Sequence, residues 1–100
     1  MNKNKPRNTS EYAEQIYDKK ELSYVPKGEV VRLKKIITLV GTNNNVLDIG
    51  CYDGTLGKFL IKKKNRVYGI EINKEVANIA RQRGLKVKIQ DVRASRFKNF

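Results

Sequence analysis

Cysteine occurs once in the 100 residues, at Cys51, so no disulfide can form within the chain. That scarcity agrees with a reducing compartment, and a cytoplasmic location is the expectation. Long apolar runs are missing as well. Apolar pairs such as Ile36-Ile37 and Leu39-Val40 share one segment broken by a polar residue, far short of the roughly 20 that span a bilayer. No membrane partner is expected. Met1 to Ser10 is mostly Asn, Lys and Arg with no apolar stretch behind it, so no secretory signal peptide is expected either. Internal repeats are absent, and no metal site is read from the residues.

Acid is scarce: 10 Asp and Glu stand against 22 Lys and Arg, a formal charge of +12. A field of that sign attracts polyanions and keeps copies of the chain apart, which makes nucleic acid a candidate partner. The basic residues are nevertheless scattered in short groups from Lys3 to Lys98, and a solvated, lysine-rich surface accounts for them better than a nucleic-acid face does. No aromatics interleave those groups as single-strand stacking requires. A chain of this length holds one small core.

Residues 1–10 read as a disordered basic tail. Residues 11–28 read as a short helix, Glu11 to Asp18, carrying Tyr12, Ala13, Ile16 and Tyr17 on one face, followed by the connector Tyr24-Val25-Pro26-Lys27-Gly28. From residue 29 an alternation of helix and strand begins. Glu29 to Val40 puts Val30, Leu33, Ile36, Ile37 and Val40 on one stripe, which should pack on a sheet, and Gly41 suits a left-handed helix end. Val46 to Ile49 is a first strand, apolar enough to be covered on both faces. Thr55 to Lys64 is a helix with Leu56, Phe59 and Leu60 inward and Lys58, Lys62 and Lys63 outward, closed by Asn65. Arg66 to Glu71 is a second strand. Asn73 caps a helix to Arg83 with Val76, Ala77, Ile79 and Ala80 buried, Gly84 ends it, and Leu85 to Gln90 is a third strand. Strands alternating with helices through short loops predict an α/β fold: a Rossmann-like parallel sheet with right-handed crossovers and helices on its faces.

The chemistry of such a sheet lies beyond the carboxyl ends of its strands. Gly50, Gly54 and Gly57 in the turn after the first strand let backbone approach a ligand, although tight strand-to-helix turns use glycine for steric reasons too. Glu71 ends the second strand about 20 residues on, where a carboxylate can accept hydrogen bonds from both hydroxyls of a ribose. Asp91, past the third strand, can accept from an exocyclic amine while the Val92 N–H donates to a ring nitrogen; an aspartate there equally serves as a turn former. Asp48 separates the cofactor classes. Inside the strand, two residues before Gly50, its charge repels a pyrophosphate and welcomes a cationic ligand end.

These residues resemble the class I S-adenosylmethionine-dependent methyltransferases. Val46-Leu47-Asp48-Ile49-Gly50-Cys51-Tyr52-Asp53-Gly54 is similar to the first motif of that family, Val67-Tyr68-Gly69-Ile70-Glu71-Ile72-Asn73 to the second, and Ile89-Gln90-Asp91-Val92 to the adenine-contacting segment. The resemblance implies S-adenosyl-L-methionine as cofactor and a binding set of Asp48, Gly50, Cys51, Tyr52, Gly54, Glu71, Ile72, Asp91 and Val92. Within it Asp48, Gly50 and Gly54 hold the methionine end, Glu71 the ribose, Ile72 one adenine face, and Asp91 with Val92 the adenine edge. Tyr52 departs from the glycine common at its position and should reshape the pocket mouth; a positive φ there costs of order 1 kcal/mol.

The resemblance also implies a seven-stranded sheet, of which this chain carries three strands before its last residues, Lys98-Asn99-Phe100. Residues 29–100 are thus expected to be the cofactor-binding half of a methyltransferase domain, cut before a fourth strand, inactive alone and without assignable catalytic residues. The methyl acceptor stays open between a small molecule, RNA and protein. An exposed edge on the first strand predicts self-association. A nicotinamide-dependent Rossmann protein and a basic nucleic-acid-binding module without enzymatic activity are the competing readings.

Overall fold

The computed structural model describes residues 25–94. The expected tail, the helix at Glu11 to Asp18 and the start of the connector lie outside them. The chain divides between Gly41 and Thr42 into two compact units.

The first unit carries α1, Lys27–Val40, which buries Leu33 and Ile37 of the expected stripe. It begins two residues before the sequence suggests. Pro26 stands at its N-cap, and the Pro26 carbonyl accepts from the Glu29 and Val30 N–H groups at 2.9 and 3.1 Å. Lys27 and Gly28 are therefore helical rather than part of the connector. A proline just ahead of the first turn is compatible with a helix because the earliest N–H groups lack intrahelical partners anyway. Gly41 closes α1 at φ 73° and ψ −136°, so its φ is positive, as glycine permits, but its ψ is not that of the left-handed helix.

The second unit holds β1 (Asn45–Ile49), α2 (Thr55–Lys62), β2 (Arg66–Glu71), α3 (Lys74–Gln82), β3 (Lys86–Ile89) and a short 3₁₀ turn, Val92–Ala94. The strands form one parallel sheet in the order β1-β2-β3. This is the expected Rossmann-like α/β arrangement. Because the order steps one way, right-handed crossovers bring α2 and α3 to the same face and into mutual contact. Phe59 and Leu60 of α2, Val67 and Ile70 of β2, Ala77 and Ala80 of α3, and Leu85 and Val87 make the core.

Packing departs from the periodic reading at several places. Ile79 was expected inward but is exposed, while Ala77 and Ala80 are fully buried. The reason is close approach: a Cβ on Gly54 would lie 2.9 Å from the Ala80 Cα, so only small residues fit where α3 meets the head of α2. Lys63, expected outward, is 7 % exposed, and burial pushes its ammonium pKa down. It stands at the C-cap of α2, where the chain turns back beneath the helix, and its carbonyl accepts from the Thr42 hydroxyl at 2.6 Å. Asn65 does close this end: its amide donates to the Leu60 carbonyl at 3.0 Å and its Oδ1 accepts from the Asn44 N–H at 2.9 Å. Finally, β1 is not covered on both faces, since Leu47 and Ile49 are 43 % and 53 % exposed on an outer strand of the sheet.

Candidate functional site

In-register pairing brings Ile49 level with Ile70, and Glu71 level with Ile89, so the chain leaves all three strands at one edge. There the turn Gly50–Gly54, the segment Glu71–Asn73 and the segment Gln90–Val92 come together. The Gln90 N–H donates to the Glu71 carbonyl at 3.1 Å, carrying the pairing one step past β3.

The turn is tightly wound. Gly50 has φ 72°, Tyr52 φ 53° and Gly54 φ 78°. Gly50 and Cys51 both donate their N–H groups to the Ile70 carbonyl, at 2.8 and 3.1 Å, and Gly54 donates back to the Cys51 carbonyl at 3.0 Å. The turn is thereby sewn to β2, and Tyr52 adopts the left-handed backbone that a glycine would occupy without strain. Tyr52 is 61 % exposed.

Glu71 is the centre of the arrangement. Though nearly buried, its carboxylate takes the Tyr52 N–H on Oε1 and the Asn73 N–H on Oε2, each at 2.9 Å. A carboxylate offers about four acceptor positions. Two backbone donors fix its plane and leave one further lone pair on each oxygen, the geometry that two vicinal hydroxyls require. Asn73 in turn caps α3, its Oδ1 accepting from the Glu75 and Val76 N–H groups at 3.0 and 3.2 Å. Ile72 and Val92, expected beside an adenine ring, are 66 % and 40 % exposed.

Two expected residues have roles in packing and in turn formation. The Cys51 thiol is buried against Gly69, where an added Cβ would sit 2.5 Å from Sγ. Burial, followed by the nearby charges of Asp48 and Glu71, pushes its pKa up to about 11. Such a thiol is an inert packing group. Asp91 acts as a turn former: Oδ1 accepts from the Arg93 N–H at 2.9 Å, and the guanidinium of Arg93 grips both carboxylate oxygens, with Nη2 2.6 Å from Oδ2. Hydrogen bonds from the Arg93 side chain and then its backbone hold the Asp91 pKa below the usual carboxylate value. Asp48 is half-buried, level in the sheet with Gly69.

A further pair was not visible in the motifs. Asp53 accepts on Oδ1 from the Thr55 N–H at 3.0 Å and the Thr55 hydroxyl at 2.6 Å, and Arg83 lies 3.3 Å from Oδ2. Burial alone raises the Asp53 pKa, but the Thr55 hydrogen bonds and Arg83 outweigh it and hold the carboxyl low. Among the described residues no cluster of metal-ligating side chains is present, and no helix is long and apolar enough to cross a membrane.

The family model of methionine biosynthesis protein MetW matches residues 31–100. The chain belongs to the MetW family. No curated protein matches it. Among solved structures, it is similar to a TehB-like SAM-dependent methyltransferase from Corynebacterium glutamicum, with a TM-score of 0.62 and 22 % identity. That match covers 90 % of this chain and 48 % of the other, so this MetW-family chain spans about half the length of that relative. At such identity the likeness is one of fold.

Proposed function

We propose that this chain supplies the S-adenosylmethionine-binding part of a methyltransferase. The observation that carries the proposal is the Glu71 carboxylate at the carboxyl edge of the sheet, pinned by the Tyr52 and Asn73 N–H groups with a lone pair of each oxygen left over. Membership in the MetW family and the fold shared with a SAM-dependent methyltransferase support it.

The residues suit this cofactor. Glu71 accepts from the ribose hydroxyls, the exposed Ile72 and Val92 offer apolar surface to the adenine, and Asp48 places negative charge near a cationic methionine end. Asp91 serves the adenine edge only by sharing its carboxylate with Arg93, so the Val92 backbone carries more of that contact. When bound, the cofactor supplies a methyl group on a sulfonium, open to in-line attack by a nucleophile. The protein's contribution to such a transfer is positioning. None of the described residues is assigned to the acceptor. The charge of +12 makes RNA the first acceptor class to test, ahead of protein and small molecules. A cytoplasmic site of action belongs to the same proposal, supported by the single free cysteine.

Calorimetric titration with S-adenosylmethionine and S-adenosylhomocysteine tests this reading, with NAD as control and Glu71→Ala and Asp48→Ala as variants. Saturable adenosyl binding, weakened in both variants and absent with NAD, is expected. A folded chain that binds neither adenosyl ligand, or prefers NAD, overturns it.

A further inference from the structure

Outside the motifs, the turn after β1 is held at a second point. Arg83, at the C-cap of α3, sends Nη1 to the Asp53 carbonyl at 3.0 Å and the Thr55 hydroxyl at 3.2 Å, and lies 3.3 Å from Asp53 Oδ2. Its two N–H bonds at that nitrogen are shared among three oxygens. Thr55 returns its own N–H and hydroxyl to Asp53 Oδ1, closing a ring of contacts around the last residues of the turn.

This ring does what backbone preference does not. Tyr52 and Gly54 both have positive φ, and Tyr52 has it against the preference of an L residue. A turn of that shape persists only where surrounding groups over-determine it. Glu71 holds its Tyr52 N–H from the end of β2; Arg83 holds its Asp53 carbonyl, the next residue, from the end of α3. Between them the two side chains fix, from two different elements, the Cys51–Tyr52 and Asp53–Gly54 peptide groups, which flank the peptide joining Tyr52 to Asp53.

We infer that Arg83 is a positioning residue for the cofactor turn, acting through Asp53 and Thr55 to set the path of Tyr52–Gly54 against the ligand. The inference rests on the cofactor reading above. Arg83 touches no cofactor atom in this account; its effect is on the geometry of the residues that do. Half-exposed, with side-chain exposures of 33 % and 31 % for Arg83 and Asp53, the pair is a small contributor to overall stability but a local fastener.

The test uses Arg83→Gln and Arg83→Lys in the full chain, with two readouts: affinity for S-adenosylhomocysteine, and amide hydrogen exchange residue by residue. In Arg83→Gln the Thr55 and Gly54 amides are expected to exchange faster while amides of β2 keep their protection, and affinity falls about tenfold, as misplacement of binding groups by a fraction of an ångström does. Arg83→Lys, which retains a cationic donor, recovers part of both. Unchanged exchange at Thr55 and Gly54 overturns the inference, as does an affinity loss that accompanies a uniform rise in exchange throughout the sheet. If the wild-type chain binds no adenosyl ligand, the cofactor reading falls and with it the positioning role, whereas wild-type binding that survives Arg83→Gln intact overturns the positioning role alone.

Discussion

Glu71 Oε1 accepts the backbone N–H of Tyr52 at 2.9 Å, across 19 positions of sequence. The acid at the end of one strand thus secures the strained residue in the turn that follows its neighbour. Ligand recognition and turn geometry share one carboxylate, and this coupling governs what substitutions around the edge should do.

Tyr52→Gly is expected to stabilise the chain. The left-handed φ of 53° costs an L side chain about 1 kcal/mol, and little burial is lost because the ring is largely exposed. Thermal melting should shift upward by about 4–8 °C for each kcal/mol gained in a chain of this size. A melting point equal to or below that of the wild type means that the ring makes compensating contacts.

Gly69→Ala should do the opposite. Its new Cβ would stand 2.5 Å from Cys51 Sγ and 3.0 Å from Cys51 Cβ, in the middle of the sheet, and overpacking of this kind costs about 1–3 kcal/mol. Removing the sulfur in Cys51→Ala relieves the closer clash, so the double variant should be more stable than the sum of the single changes predicts. Strict additivity in denaturant melts would show that the two sites do not press on one another.

Cys51 links stability to alkaline pH. Its pKa rises from the ordinary 9.0 to about 11 on folding, so the folded chain retains the thiol proton longer than the unfolded chain does. The stabilisation this gives is complete below about pH 9 and is lost as pH climbs toward 11. Wild type minus Cys51→Ala, followed by denaturant unfolding from pH 8 to 11, should decline over that window. Iodoacetamide at pH 8 should leave the native thiol unmodified over times that alkylate the unfolded chain completely. Rapid labelling of the native protein would contradict the burial of Sγ.

Much of this architecture was legible before the structure, and the misses have a common physical origin. β2 falls on Arg66–Glu71 as read, because a short run rich in strand-favouring Val67, Tyr68 and Ile70 ends at a charged residue, and α3 begins behind Asn73 because that side chain has two orphan N–H groups to satisfy. These are local effects. Ile79 and Lys63 were misjudged because periodicity ranks residues by polarity, whereas close approach of α3 to Gly54 selects for size and the turn after α2 buries a lysine stem. At the edge, the place of Glu71 at the end of β2 was readable. The Arg83 contact to Asp53 was not, since the residues are 30 apart and a single arginine in a basic chain carries no signal. Asp91 takes the turn-forming role, one of its two sequence readings, and only the position of Arg93 shows how its carboxylate is occupied.

The sequential strand order has a bearing on how the molecule is made. Among the described residues each strand pairs only with the next one along the chain, β1 with β2 and β2 with β3. Each of these strands after the first therefore finds the edge it pairs with already synthesised as it emerges from the ribosome, and none of the three is inserted between two that have already paired. Each pairing closes one helical crossover, as between Asn45 and Arg66, the least that a parallel sheet requires. Folding is then expected to proceed from the amino-terminal strand outward, with the edge that gathers Glu71, Tyr52 and Asn73 completed as soon as the second strand has docked.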